Sequence, residues 1–291
     1  MTSLLLAGNL GVWLDTVFAE FDLAVFSILG SIHDSFLTVL AKAFTALGSE
    51  IFIALMAVMG IVMIFFKRTR KVGFAIVFAV IIGTLITNVV IKPIALRIRP
   101  YNTLQGNVQY WAWYVSAGML SESDYCFPSG HTTGATELCI VLFFCHLQSK
   151  RKMAKRLCWV FPIIAFLVGA SRVYLMVHYA TDVLTGYLVG IFAAMVGYTL
   201  ACLTVRKWKY DEEKQALLKS PIRPAGVVAI ILAFIVSIGL SFTNVMTRGG
   251  ADAIRCDYDG DYDCQNEAEE KYQGPDGKYY CEIHWEELYG N

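Results

Sequence analysis

Charge is scarce in this chain. Only 16% of its residues are Asp, Glu, Lys or Arg, and three stretches, 72–91, 183–205 and 224–247, contain none of them. With 56% hydrophobic residues and a mean hydropathy of +0.53, so little charge argues against a soluble protein, because the apolar surface exceeds what one soluble core buries. Internal repeats and low-complexity tracts are also missing, so no repeat architecture is expected. No basic n-region leads into a small-residue cleavage site, so a removed signal peptide is not expected.

What the chain does have is uncharged length. The three runs hold 20, 23 and 24 residues, each enough to cross ~30 Å of hydrocarbon as α-helix. Residues 51–66 become adequate if their helix starts near Gly48, 157–171 if theirs continues towards His178, and 132–149 carry only Glu137 and His146. The fold expected is all-α, a polytopic membrane helix bundle with about six spans: 49–66, 72–92, 130–149, 157–176, 182–205 and 224–247. Residues 1–48 mix Asp15, Glu20, Asp22, His33, Asp34 and Lys42 with aromatic residues, which suits interfacial helices better than spans. The expected organisation is therefore an amphipathic region 1–48, a transmembrane domain 49–247 and a tail 248–291.

Three loops, 67–71, 150–156 and 206–223, hold fifteen of the twenty-four Lys and Arg residues. Short basic loops stay cytoplasmic, and six spans put all three on one face. The opposite, extracytoplasmic face receives loop 93–129, turn 172–181 and the tail, where twelve acids outnumber three bases beyond Arg248.

Three motifs converge on that outer face. In "KPIALRIRP", Lys92 and Arg99 are seven residues apart, about two helical turns, so both cations could face one ligand. Pro93 biases Lys92 away from helical geometry. Arg97 lies off that pairing and reads as an ordinary interfacial arginine. "FPSGHTTG" opens the third span, where Ser129, Gly130 and the first unpaired N–H groups of the helix attract an anion beside His131. "SRVYLMVHYATD" places His178 and Asp182 four residues apart, a spacing that on a helix sets a carboxylate against an imidazole. Arg172 adds a planar fork suited to phosphate. Taken singly, each admits a plainer reading: headgroup anchoring, a capped helix start, a buried salt-bridge network. Taken jointly, three such segments on one membrane face point to a working site.

Lys92-x6-Arg99-Pro100, Pro128-Ser129-Gly130-His131 and Ser171-Arg172-x5-His178-x3-Asp182 together resemble the tripartite signature of the type 2 phosphatidic acid phosphatase (PAP2) superfamily, which is shared with vanadium haloperoxidases and bacterial undecaprenyl diphosphatases. The resemblance covers about residues 50–205. It implies that Lys92, Arg99, Ser129, Gly130 and Arg172 cradle a phosphate, that His178 is the nucleophile oriented by Asp182, and that His131 is the general acid. It implies no metal and no cofactor. The partners expected are the lipid bilayer and a lipid-borne phosphate substrate, with no nucleic acid. "FPSGHTTGA" after an amphipathic N-terminal region is similar to the undecaprenyl-diphosphatase branch, so undecaprenyl diphosphate is the first substrate expected, ahead of phosphatidic acid or phosphatidylglycerol phosphate. A non-catalytic lipid transporter or scaffold is the competing reading, and the His178–Asp182 pair argues against it, because binding alone needs no nucleophile.

Two features stand outside the signature. Glu137, six residues after His131, is either the lining of a wet cavity, a partner of a motif cation, or a carboxyl bonded within the bundle. Cys126, Cys256, Cys264 and Cys281 fall on the outer side, where one or two disulfides are favoured over a zinc site. "CDYDGDYDC" alternates acids like the start of a calcium loop, but its glycine falls at the fourth position instead of the sixth and Ala268 would occupy the twelfth, where a Glu belongs, so a solvated acidic segment is expected.

Overall fold

The computed structural model describes residues 2–208 apart from Ser123, together with Ile235, Val236, Gly239 and Ser241. All of these belong to the unit Met1–Arg248. The expected sixth span, 224–247, lies almost wholly outside the described residues, and the acidic tail with Cys256, Cys264 and Cys281 lies outside them entirely. Among the described residues every regular element is helical: α1 (Thr2–Val17), α2 (Ala19–Ser31), α3 (Ser35–Ala46), α4 (Glu50–Ile64), α5 (Arg70–Thr84), α6 (Lys92–Ala95), α7 (Pro100–Thr103), α8 (Val108–Ala117), α9 (Gly130–Leu147), α10 (Lys152–Leu157), α11 (Val160–Tyr174) and α12 (Ala180–Trp208). A π-helical segment, Leu85–Ile91, joins α5 to α6.

Among the described residues, four stretches are long and apolar enough to cross a membrane: Ser35–Ile64, Arg70–Thr103, Lys152–Tyr174 and Ala180–Arg206. α9, expected as the third span, is not among them, since His131, three threonines and Glu137 load its N-terminal half with polar groups. The first stretch takes in α3 as well as α4, so apolar length begins earlier than the expected boundary at residue 49. Leu184, Leu188, Phe192 and Met195 along α12 are exposed, a row of bulky apolar side chains that costs little only against lipid.

α12 packs against α5 and α9, α11 lies against α9, and α4 covers α5. Small residues let these helices approach closely. A β-carbon at Gly186 of α12 would stand 2.9 Å from the Ser129 carbonyl oxygen, and one at Gly197 would stand 2.6 Å from the Ala79 amide nitrogen. The first contact fixes the start of α9 beside the start of α12, which brings the second and third motifs together.

The first motif arrives differently from expectation. Lys92 is helical, with φ −55° and ψ −47°, and the irregularity falls upstream as the π turn. Pro93 lacks an N–H and crowds the carbonyl four residues back, and a widened turn relieves that clash. The helix then stops at Leu96, whose φ of 48° is left-handed. Lys92 and Arg99 are therefore joined across a helix end and a short non-helical stretch, 96–99, instead of two turns of one helix.

Candidate functional site

An anion centre lined by cations forms where the three motifs meet. Ser129, fully buried, is the N-cap of α9 and its side chain accepts from the Thr132 amide, as capping chemistry requires. Gly130 opens the helix, and a β-carbon there would lie 3.7 Å from Lys92 Nζ. His131 follows in the first turn, where the helix N-terminus contributes positive potential. Arg172 enters from the last turn of α11 and Arg99 from the segment before α7.

The carboxylate of Glu122 sits among these groups. Arg172 Nη2 donates to its Oε1 at 2.5 Å, and Arg99 Nη2 pairs with its Oε2 at 2.7 Å. His131 Nε2 lies 3.8 Å from Oε1 and His178 Nε2 lies 3.9 Å from Oε2. Both imidazoles thus face one small anion. Asp124 bridges Lys92 and Arg99 beside it. Burial alone would raise the Glu122 carboxyl, but Arg172, His131, Arg99 and His178 outweigh it and hold the group well below the usual carboxylate range. Burial likewise opposes ionisation of Asp124, and Arg99 and Lys92 overcome it to lower that carboxyl too.

His178 lies in the turn between α11 and α12, not on a helix as the four-residue spacing suggested. Asp182 is in the first turn of α12, and its Oδ2 accepts from the Tyr179 amide at 2.9 Å, a reach back to the residue preceding the helix. His178 Nδ1 lies 3.5 Å from Asp182 Oδ2. Arg99 Nη1 donates to His178 Nε2 at 3.2 Å, which assigns the lone pair to Nε2 and the ring proton to Nδ1 on the Asp182 side. Burial, then the positive fields of Arg99 and Arg172, press the His178 pKa well below 6.5. The imidazole is therefore neutral near pH 7, with the Nε2 lone pair free of a proton.

All eight residues singled out in the sequence lie in or against this pocket. Lys92, Arg99, Gly130, His131, Arg172 and His178 surround the two acids, Asp182 stands behind His178, and Ser129 holds the helix start. Glu122 and Asp124 were missed. They carry no motif of their own, and the signal was two acids within ten residues upstream of the Pro-Ser-Gly-His stretch.

Arg97 corrects the sequence reading. It is only 1% exposed, and its Nη1 donates to Asp182 Oδ1 at 2.5 Å. Its Nη2 donates to Asp22 Oδ2 at 2.9 Å and its Nε to Asp15 Oδ1 at 2.7 Å. Asp22 also accepts from the Thr181 amide and hydroxyl. The first two helices are thereby tied to the carboxylate that faces His178. The sequence signal was Asp15 and Asp22, two helical turns apart in apolar surroundings, where an acid needs a partner.

Cys126 is a second correction. It is a free, buried cysteine, so it has no part in a disulfide. Its thiol donates to Asp182 Oδ2 at 2.7 Å and lies 3.4 Å from His178 Nδ1. Burial, reinforced by the Asp182 charge, pushes its pKa well above the ordinary value and keeps it a thiol. Glu137 is 1% exposed, and its Oε2 has no hydrogen-bond partner among the described residues. It faces Gly83 of α5 and forms no ion pair with a motif cation.

Helices long enough to cross a membrane, with a cluster of cations and two imidazoles at their ends, define a multi-pass membrane protein. The chain belongs to the PAP2 superfamily, whose family model matches residues 71–208. It is 35% identical over 136 residues to an undecaprenyl-diphosphatase of Sulfolobus acidocaldarius, an alignment covering 44% of this chain and 54% of that relative. It is 31% identical over 165 residues to phosphatidylglycerophosphatase B of Bacillus subtilis, covering 55% of this chain and 73% of that one. The chain thus spans about half the length of the first relative and about three quarters of the second. In fold it is similar to the crystal structure of a transmembrane PAP2-type phosphatidylglycerolphosphate phosphatase from Bacillus subtilis, with a TM-score of 0.54, 26% identity, and coverage of 66% of this chain and 90% of that chain.

Proposed function

We propose that this chain hydrolyses a phosphate or diphosphate ester of a membrane lipid at the Arg99–His131–Arg172–His178 pocket, through a phosphohistidine intermediate. The observation that carries the reading is the approach of both imidazoles to one carboxylate, at 3.8 and 3.9 Å, between two guanidinium groups. A phosphoryl group in that place would have its equatorial oxygens met by Arg99, Arg172 and Lys92, the charge neutralisation that phosphoryl transfer requires.

The cycle follows from the protonation geometry. Neutral His178 attacks phosphorus with Nε2, forming an N–P bond, while the P–O bond to the leaving group breaks and protonated His131 gives that oxygen its proton. Neutral His131 then takes a proton from water, whose oxygen forms the new P–O bond as the N–P bond breaks. Asp182 holds the His178 ring and stabilises the positive charge it acquires on attack. Phosphate is released and both imidazoles return to their starting states.

The first substrate in this reading is undecaprenyl diphosphate, supported by the name of the Sulfolobus relative. The second is phosphatidylglycerol phosphate, supported by the Bacillus relative and by the structural neighbour. We place the protein in the cell membrane with this pocket on the extracytoplasmic side, from the distribution of Lys and Arg among the short loops. Phosphate release by purified protein in detergent, measured with both lipids and with phosphatidic acid, ranks the substrates. His178→Ala and His131→Ala are each expected to lower turnover at least ~100-fold, and full activity in either would refute the assignment.

A further inference from the structure

We propose that Glu122 is a resident stand-in for the substrate phosphate: its carboxylate fills the anion position between Arg99, Arg172, His131 and His178, and substrate binds by displacing it. The inference rests on the function proposed above, since it concerns the same pocket. Without an anion, the site would hold Lys92, Arg99 and Arg172 together, 9%, 3% and 2% exposed. Buried like charges without a counter-charge are strongly unfavourable. Glu122 and Asp124 remove that cost in the unliganded protein and leave the cations aimed at one point.

Three details mark the occupancy as replaceable. Arg172 Nε is buried and has no hydrogen-bond partner among the described residues, so the two oxygens of a carboxylate leave unused a donor that a tetrahedral phosphate can satisfy. The Glu122 backbone is held independently, since Tyr101 Oη donates to its carbonyl at 2.8 Å and accepts from its amide at 3.0 Å. The side chain can therefore leave by rotation about its own bonds without moving the chain. Finally, the Asp124 side chain beside it is 44% exposed, which opens the Lys92 side of the pocket to an arriving headgroup.

A site occupied by its own acid binds ligand with an affinity reduced by the fraction of time it is vacant. Orthovanadate is a suitable probe because it resembles phosphate in shape and charge and carries no lipid. If Glu122 occupies the pocket about nine-tenths of the time, Glu122→Gln binds vanadate about tenfold more tightly than the unsubstituted protein, read as a lower Ki against lipid-phosphate hydrolysis together with a lower KM. An unchanged or weaker Ki in an active variant overturns the inference and leaves the proposed function standing. Should the variant fail to fold, carboxyl footprinting of the unsubstituted protein decides: labelling of Glu122 is expected to rise at saturating vanadate, and unchanged labelling overturns the proposal. An unsubstituted protein that neither releases phosphate nor binds vanadate refutes the function and this inference together.

Discussion

Replacing Arg97 by methionine removes the one guanidinium that touches Asp15, Asp22 and Asp182 while leaving a side chain of similar length. The Arg97 side chain is fully buried, as is Asp182, and the Asp22 side chain is 2% exposed; only Asp15, at 32%, reaches water. Two buried carboxylates would lose their counter-ion. Breaking one partner out of a buried ion pair costs about 3–5 kcal/mol, and that range applies here because Thr181 and Cys126 supply neutral donors but no positive charge. At about 2–4 °C per kcal/mol for a domain of this size, the melting temperature in detergent should fall by roughly 6–20 °C. The Asp182 carboxylate also loses the bond on Oδ1, so turnover should drop about 10–100-fold, the usual loss when an outer partner of a functional group is removed. Arg97→Met paired with Asp22→Asn supplies the control. If the two charges compensate each other, the double variant is less damaged than the sum of the singles by about 1–3 kcal/mol. Native-like melting of Arg97→Met, or strict additivity with Asp22→Asn, would show that the network carries no such load.

Because burial and the neighbouring Arg99 and Arg172 charges depress the His178 pKa from 6.5, the folded protein keeps this ring neutral where the unfolded chain takes up a proton. Protonation therefore favours the unfolded state, and this contribution to stability, complete above about pH 6.5, is lost as pH falls below it. The same shift puts any activity loss from protonating His178 below pH 6.5, and a kcat/KM profile whose His178-dependent acid limb lies above that value would contradict it. Gly197→Leu should destabilise the bundle, because a β-carbon there already comes within 2.6 Å of the Ala79 backbone nitrogen; α5 and α12 must separate, and a variant with unchanged thermal stability would show that the close approach is not needed.

Much of the architecture was legible because lipid imposes simple demands. Uncharged length marked α5 and α12, and three motifs separated by dozens of residues named Lys92, Arg99 and Arg172, which the fold brings together at Glu122 and Asp124. What escaped depended on side chains meeting across the fold. Arg97 looked like an anchor because its partners lie on α1 and α2, more than seventy residues away, and no local pattern couples Asp22 to Thr181. Glu122 escaped because its only mark in the sequence is its place, with Asp124, shortly before the Pro-Ser-Gly-His stretch, which does not show that it folds back onto the cations. Cys126 was assigned to the oxidisable outer surface, whereas the backbone bond from its amide to the Arg97 carbonyl draws it inward to Asp182. Pro93 was expected to pull Lys92 out of helical geometry; the distortion falls instead on the π turn before it, and the helix ends at Leu96.

That widened turn has a consequence for the lysine's bearing. A π-helical turn takes in about one more residue than an α-helical one, so residues 85–91 act as a phase shift between the packed face of α5 and the ammonium group beyond it. Deleting a single residue from this segment would rotate Lys92 by about 100° around the helix axis and draw it back about 1.5 Å, turning its head away from the pocket while every contact of α5 stayed in place. The distance in sequence from the helix-packing glycines to the lysine is thus a tuned length, and a homologue with a straight helix here would reach the same geometry only with a different residue count.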